Sequence, residues 1–215
     1  MIRPGGVLRA VVLSVVTVFA VAGCASGAGL TQAEVAGMSL EDEFALASER
    51  YAEMQSVLEE AQVQVSDGAW QWNGGEVLPV TGGPDASGEP LPGADESNSY
   101  LFRAGRILEP QGATGVRSDL DPMIEYFDEK GWRSGSREVA GEYETRADTG
   151  EGWWLSYTVR PNGQYSLAID SEVFWTNDSS ELRLAIGKRD VTPFPEESVP
   201  GVFEPFPSWT DPVQP

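Results

Sequence analysis

Few side-chain types in this chain can do chemistry. Its 215 residues contain no histidine and a single cysteine, Cys24. Ser-His-Asp and Cys-His catalysis are therefore excluded, as are His-ligated zinc and iron sites. A lone cysteine forms no internal disulfide and no multi-thiolate metal site. Carboxylates, hydroxyls, arginine, tyrosine and tryptophan remain, and no cofactor or metal is expected. Two arrangements stand out. Glu142, Glu144, Asp170 and Glu172 are possible members of a carboxylate pair acting on polysaccharide. That chemistry needs two acids roughly 5–10 Å apart in a cleft, with one desolvated so that it holds its proton. The plainer reading of all four is a solvated sheet face. The other arrangement is an aromatic ring flanked by charge: Arg146, Trp154 and Asp170. Such a ring stacks on a sugar or a peptide side chain; otherwise it caps the sheet with a cation–π contact or lies under another segment.

The elements that must position these groups are legible as periodicities. Strands are expected at Gly68–Trp72, Tyr100–Leu108, Gly141–Ala147, Trp153–Arg160 and Gln164–Trp175. The last of these carries Tyr165, Leu167, Ile169, Val173 and Trp175 on one face. Leu182, Leu184 and Ile186 suggest a final strand after an Asn177–Ser180 turn. Leu40, Phe44, Ala47, Tyr51, Met54, Leu58, Ala61 and Val65 recur at alternating spacings of four and three, the apolar stripe of a long helix. Ser39 and Asp42 have capping-box spacing before it, and Thr31 with Glu34 repeats that spacing over a short turn. A second helix is punctuated by Asp121 as cap, Pro122 as its first residue and Gly131 after its last, with Trp132 folding back on Phe127. These elements predict an α+β fold: one antiparallel sheet with two helices packed on one face, a two-layer sandwich.

The Pro161-Asn162-Gly163 connection decides which residues share a face. A three-residue loop sets Val159 against Tyr165, Tyr157 against Leu167 and Leu155 against Ile169, matching apolar to apolar. The same logic carried to the preceding strand sets Ala147 against Trp153 and Thr145 against Leu155. The opposite face then carries Arg146, Trp154 and Asp170 in one row, and Glu144, Ser156 and Ala168 in the next.

Cys24 follows an apolar run, Val11 to Val21, that is too short for a stable transmembrane helix. Arg3 and Arg9 precede the run, and the small residues Ala22 and Gly23 lead into the cysteine. Val21-Ala22-Gly23-Cys24 thus resembles the lipobox of bacterial lipoproteins. That resemblance implies cleavage between Gly23 and Cys24, a diacylglyceryl thioether on Cys24, and a protein held by lipid at the outer face of the cell membrane. The expected organisation is a signal peptide over 1–23, a lipidated tether over 24–38 and an α+β domain over 39–189. A flexible Gly/Pro-rich insertion falls within that domain at 79–99, and a Pro-rich acidic tail spans 190–215. The tail reads as extended, although Phe194, Phe203, Phe206 and Trp209 also suit docking on the domain or a partner.

Formal net charge is −20. A chain this acidic gains nothing from nucleic acid or an anionic bilayer by charge. The order of parts resembles small actinobacterial lipoproteins of LppA-like layout: lipobox, long amphipathic helix, Trp strand, a helix ending in Gly131-Trp132, then Trp- and Tyr-rich hairpins. Two lysines against twelve arginines fit a GC-rich bacterial source. The resemblance implies an extracytoplasmic, lipid-anchored domain and carries no catalytic residues. The leading expectation is a non-catalytic module that binds an envelope glycan or a protein partner. The alternative is a carboxylate-dependent polysaccharide hydrolase of the envelope.

Overall fold

Ser39 opens the long helix where the periodicity places it. Its hydroxyl accepts the Asp42 amide at 3.2 Å, and the Asp42 carboxylate accepts the Ser39 amide at 3.2 Å, so two otherwise orphaned donors are satisfied. Thr31 and Glu34 cap a single turn in the same way. The computed structural model describes residues 29–73, 76–83, 91–193 and 197–215; residues 1–28, with the signal segment and the Cys24 lipobox, lie outside them. The short helix α1 is Gln32–Val35, and α2 is Leu40–Val65. The stripe from Phe44 to Ala61 is fully buried. Each such large apolar side chain contributes roughly 1.5–3 kcal/mol. No helix among the described residues is long and apolar enough to cross a membrane.

Helix α3 is Asp121–Lys130. A 3-10 turn over Arg117–Leu120 leads into it, so Asp121 is its first residue rather than its cap and Pro122 its second. Gly131 ends it in the left-handed conformation, and Trp132 N–H donates to the Phe127 carbonyl at 3.0 Å. The Trp132 ring then packs on Phe127, as the cap geometry predicts.

The described residues form ten short strands, in chain order β1 (Trp70–Trp72), β2 (Val80–Thr81), β3 (Ser99–Leu101), β4 (Arg103–Leu108), β5 (Arg133–Val139), β6 (Glu142–Asp148), β7 (Trp153–Val159), β8 (Tyr165–Ser171), β9 (Phe174–Trp175) and β10 (Glu197–Ser198). Seven form an antiparallel sheet in the order β10-β1-β4-β8-β7-β6-β5, and β2-β3-β9 form a small second sheet. The β7–β8 register is the apolar match: Val159 faces Tyr165, Tyr157 faces Leu167 and Leu155 faces Ile169. Trp153, Leu155, Tyr157, Val159, Leu167 and Ile169 form one buried cluster with α2 and α3. The fold is therefore α+β with helices on one face of the large sheet, as the sequence predicts.

Four expectations are corrected. The Tyr100–Leu108 and Gln164–Trp175 runs are not single strands; both break where Phe102 meets Ser171. The Ser171 hydroxyl accepts the Phe102 amide at 2.8 Å, and one extra residue on the Glu172-Val173 side shifts the pairing. A one-residue bulge inverts the faces beyond it, so Phe174 rather than Val173 joins the main cluster. The expected final strand is instead helix α4, Ser179–Gly187. The Asp178 carboxylate accepts the Ser180 and Glu181 amides, and Leu182, Ala185 and Ile186 are buried at helical spacing while Leu184 is exposed. The 79–99 insertion contributes β2 and the start of β3, although 84–90 lie outside the described residues.

The tail is the fourth. Beyond Asp190 it pairs through β10 with β1, and it sets Phe206 and Trp209 edge-on against Phe44, each with ring centroids 5.3 Å apart. Arg189 donates to the Trp209 carbonyl at 3.0 Å, and the Tyr51 hydroxyl lies 2.6 Å from the Glu204 carbonyl. Over residues 197–215 the tail is docked. Its aromatic residues offset the ordering of a Pro-rich segment that has no long secondary structure of its own.

Candidate functional site

The face of the large sheet opposite the helix-packed core is set by strand alternation. Once Leu155 and Tyr157 point into the core, Trp154, Ser156 and Thr158 must point away. On β8 the outward residues are Ser166, Ala168 and Asp170; on β6 they are Glu144, Arg146 and Asp148. Trp154 is half-buried on this outer face, not part of the core.

The predicted trio is only partly brought together. Trp154 does face Asp170. Arg146 does not share their row, because the β6–β7 register runs two residues further along than the sequence logic sets it: Ala147 faces Leu155 and Arg146 faces Ser156. The connection is shorter than that logic leaves it, with 150–152 looped out rather than 148–152. Thr149 still pairs with Trp153, its amide donating to the Trp153 carbonyl at 3.0 Å, and its side-chain oxygen takes the Glu151 and Trp153 amides. A shift of two keeps every face and moves every partner. Arg146 therefore lies diagonal to Trp154, a separation of roughly 7–8 Å between backbones and within reach of long side chains.

Three rows now cross the sheet. The first is Arg133, Asp148, Trp154, Asp170 and Arg103; the second is Gly135, Arg146, Ser156, Ala168 and Gly105; the third is Arg137, Glu144, Thr158, Ser166 and Ile107. The outer rows are tied by ion pairs: Arg133 to Asp148, Arg103 to Asp170 and Arg137 to Glu144, each at 2.5 Å. Glu144 raises the Arg137 pKa above its usual value by hydrogen bond and charge. The middle row is built of small side chains except for Arg146, and it forms the floor of a furrow between two ridges. A cavity of about 250 Å³ sits in it, lined by Gly135, Ser136, Arg137, Glu144 and Arg146. A larger concavity of about 350 Å³, between Leu40, Leu184 and Trp209, is the seam where the tail meets α2 and α4.

Strand β5 was not legible in the sequence, and it supplies one wall and the notch of the furrow. Arg133–Val139 is exposed throughout. An edge strand wet on both faces shows no apolar alternation. The available signal was the Ala140-Gly141 pair, both left-handed in φ, which makes a two-residue hairpin back into β6.

The four carboxylates considered for hydrolysis have other engagements. Glu144 and Asp170 are held by arginines as above, and Glu142 by Arg160 at 3.1 Å. Glu172 is half-buried against Gly29 and Gly152 beyond the bulge; burial pushes its pKa up, partly offset by a hydrogen bond from the Gly29 backbone. Three of the four thus lace the outer face, and the fourth holds the segment that leads into α1. Among the described residues, no group of three or more acidic, cysteine or histidine side chains is placed to hold a metal ion.

The core holds a second polar assembly that the sequence did not reveal. Arg106 points inward from β4 and is fully buried, with a nitrogen 2.8 Å from Glu76 Oε1 and its guanidinium carbon 3.6 Å from the Trp72 ring centroid. Tyr51 and Gln55 donate to Glu76 Oε2 at 2.8 Å. Burial raises the Glu76 pKa and lowers that of Arg106, with their mutual attraction opposing both shifts.

No protein-family model matches the chain, and no curated protein matches it. Among solved structures, the candidate lipoprotein LppA from Mycobacterium tuberculosis aligns over 66% of this chain and 89% of its own, at 14% identity and a TM-score of 0.36. The LppA-like layout thus has a structural neighbour of that name, and a likeness at this level carries no argument about function.

Proposed function

We propose that this chain is a protein held by lipid at the outer face of the cell membrane, whose α+β domain binds an envelope ligand, without catalysis, on the exposed face of its large sheet. The anchor rests on the Val21-Ala22-Gly23-Cys24 motif and the charged and apolar segments before it. The binding reading rests on one observation: the face turned away from the core carries the half-exposed Trp154 beside a furrow with Arg146 on its floor. A half-exposed tryptophan amid polar neighbours is a low-entropy contact surface for a ring or an apolar side chain. The arginines that grip Glu142, Glu144 and Asp170 favour binding over acid–base chemistry, because those carboxylates are already committed to ion pairs.

Two measurements test it. Intact mass spectrometry of the membrane form is expected to show lipid on Cys24 and loss of residues 1–23, and Cys24→Ser is expected to leave the membrane fraction. A Ser variant that stays membrane-bound refutes the anchor. A thermal-shift screen against glycans, peptides and lipids is expected to give a hit that raises the melting temperature. Trp154→Ala should remove that hit without lowering the melting temperature of the free protein. A hit that survives the substitution refutes the outer face as the site.

A further inference from the structure

The charges around the furrow do not balance. On β5 and β6 the outer face presents three arginines, Arg133, Arg137 and Arg146, against Glu142, which Arg160 at the end of β7 takes, and the two acids Glu144 and Asp148. Both acids adjoin Arg146 along its own strand. Each is taken by an arginine from β5: Asp148 by Arg133 and Glu144 by Arg137. Opposite Arg146 stand only Gly135 on one side and Ser156 on the other. Among the described residues Arg146 therefore has no acidic partner, in a chain whose formal charge is −20. The imbalance is fixed by the register, so no local rearrangement of side chains removes it. Meanwhile the ridges on either side are neutral pairs.

The space above Arg146 is also kept open. At Gly135 a Cβ would meet nothing within 4 Å. Gly135 is not in a left-handed conformation, so the backbone there does not call for glycine. What its missing side chain provides is the notch of the 250 Å³ cavity. Beyond the cavity the same row continues through Ser156 and Ala168, with Thr158 and the buried Ser166 in the row on one side and Trp154 in the row on the other.

We infer that this furrow binds an acidic saccharide, with the sugar carboxylate on Arg146 in the Gly135 notch and a neighbouring ring against Trp154. The inference rests on the proposed binding role of the outer face and names its ligand class. A guanidinium receives a carboxylate through two parallel N–H donors, and its charge-assisted hydrogen bonds are about twice as strong as neutral ones. Serine and threonine hydroxyls both donate and accept, which suits sugar hydroxyls. An extended peptide is less well served. It recognises a sheet through main-chain hydrogen bonds at an edge, whereas β6, β7 and β8 are paired on both sides and the free edge of β5 runs across the end of the furrow rather than along it.

The test uses the full-length protein in detergent micelles and isothermal titration calorimetry. The probes are an oligogalacturonate, its fully methyl-esterified form with the same rings but no charge, and tetraglutamate as an acidic peptide. The acid oligomer is expected to bind at least about tenfold tighter than the ester, and to weaken as salt rises. Arg146→Gln should bring the acid down to the level of the ester and leave the ester unchanged. Gly135→Tyr should abolish binding of both while the melting temperature holds, since tyrosine suits a strand and the space is empty. Equal affinity for acid and ester in the wild type, or loss of preference only with loss of folding, overturns the charge inference. Tetraglutamate binding that exceeds the oligogalacturonate and depends on Arg146 overturns the saccharide class. Failure of all three probes also overturns the inference. The broader binding role then stands or falls separately, on whether another hit from the thermal-shift screen depends on Trp154.

Discussion

Replacing Arg106 with methionine should destabilise the domain by about 3–5 kcal/mol at pH 8, the usual cost of stranding one member of a buried ion pair. The structure says where that cost arises. Arg106 is fully buried and Glu76 is 4% exposed on its side chain, so neither charge has water to fall back on. The substitution removes the charge 2.8 Å from Glu76 Oε1, a hydrogen bond to the Gly105 carbonyl at 2.9 Å and the stacking on Trp72. Glu76 keeps its Tyr51 and Gln55 donors, but both serve Oε2, and Oε1 is left bare. The pair is itself imperfect. The Arg106–Glu76 contact is close yet off the hydrogen-bond direction, and Nε and Nη2 of Arg106 meet no acceptor among the described residues. Adding Glu76→Gln should therefore recover most of the loss, and Arg106→Met with Glu76→Leu should come within about 1 kcal/mol of wild type or exceed it. The single variant should also be pH-dependent. Burial already raises the Glu76 pKa, and the Arg106 charge is the strongest influence holding it down. Without that charge the carboxyl favours its neutral form, so the deficit shrinks as pH falls toward 5. Urea unfolding at pH 5 and pH 8, with the slope unchanged, reads all of this. A single-variant loss below about 1 kcal/mol at pH 8, or one that does not change with pH, would refute the reasoning.

Two further outcomes can be stated. Glu204, in the docked tail, has its carboxyl pushed up to about 7, first by burial and then by the hydrogen bond and charge of Asp190, with Glu76 adding a little. The folded form holds this proton more tightly than the unfolded chain, whose value is near 4.5. Its contribution is therefore complete below about pH 4.5 and is lost as pH rises through about 7. The melting temperature should fall by a few degrees from pH 5 to pH 8, and Glu204→Gln should reduce that slope, leaving the part that Glu76 and Glu172 contribute with the same sign; an unchanged slope would contradict the assignment. Gly115→Ala should cost at least about 2 kcal/mol in urea unfolding, whereas Gly135→Ala should stay within about 0.5 kcal/mol. At Gly115, φ is +67° and a Cβ would lie 2.4 Å from the Arg160 carbonyl oxygen, in the loop whose Asp119 accepts the Tyr165 hydroxyl.

The sequence by itself determined the elements whose signal is local. The α2 stripe is periodic along the whole helix, and Ser39–Asp42 and Gly131-Trp132 are complete caps within a few residues, so these needed no tertiary context. The β7–β8 register was also legible, because the loop Pro161-Asn162-Gly163 admits two pairings and only one matches apolar to apolar. The face that Trp154 occupies followed from it. Whether Arg146 joins Trp154 did not, since the turn at Thr149–Gly152 sets the register by local hydrogen bonds that the apolar pattern does not encode. Leu182, Leu184 and Ile186 fit a strand period and Leu182, Ala185 and Ile186 a helical one; the Asp178 cap and packing against α2 chose the helix. Arg106 reads as one more polar residue of a strand until the partner that offsets its burial, far away along the chain, is seen beside it. The tail is the clearest case. Its prolines and acids describe an extended chain, and only the surface formed by Phe44, Tyr51 and Arg189, which exists once α2 and α4 are packed, gives Phe206 and Trp209 somewhere to be buried.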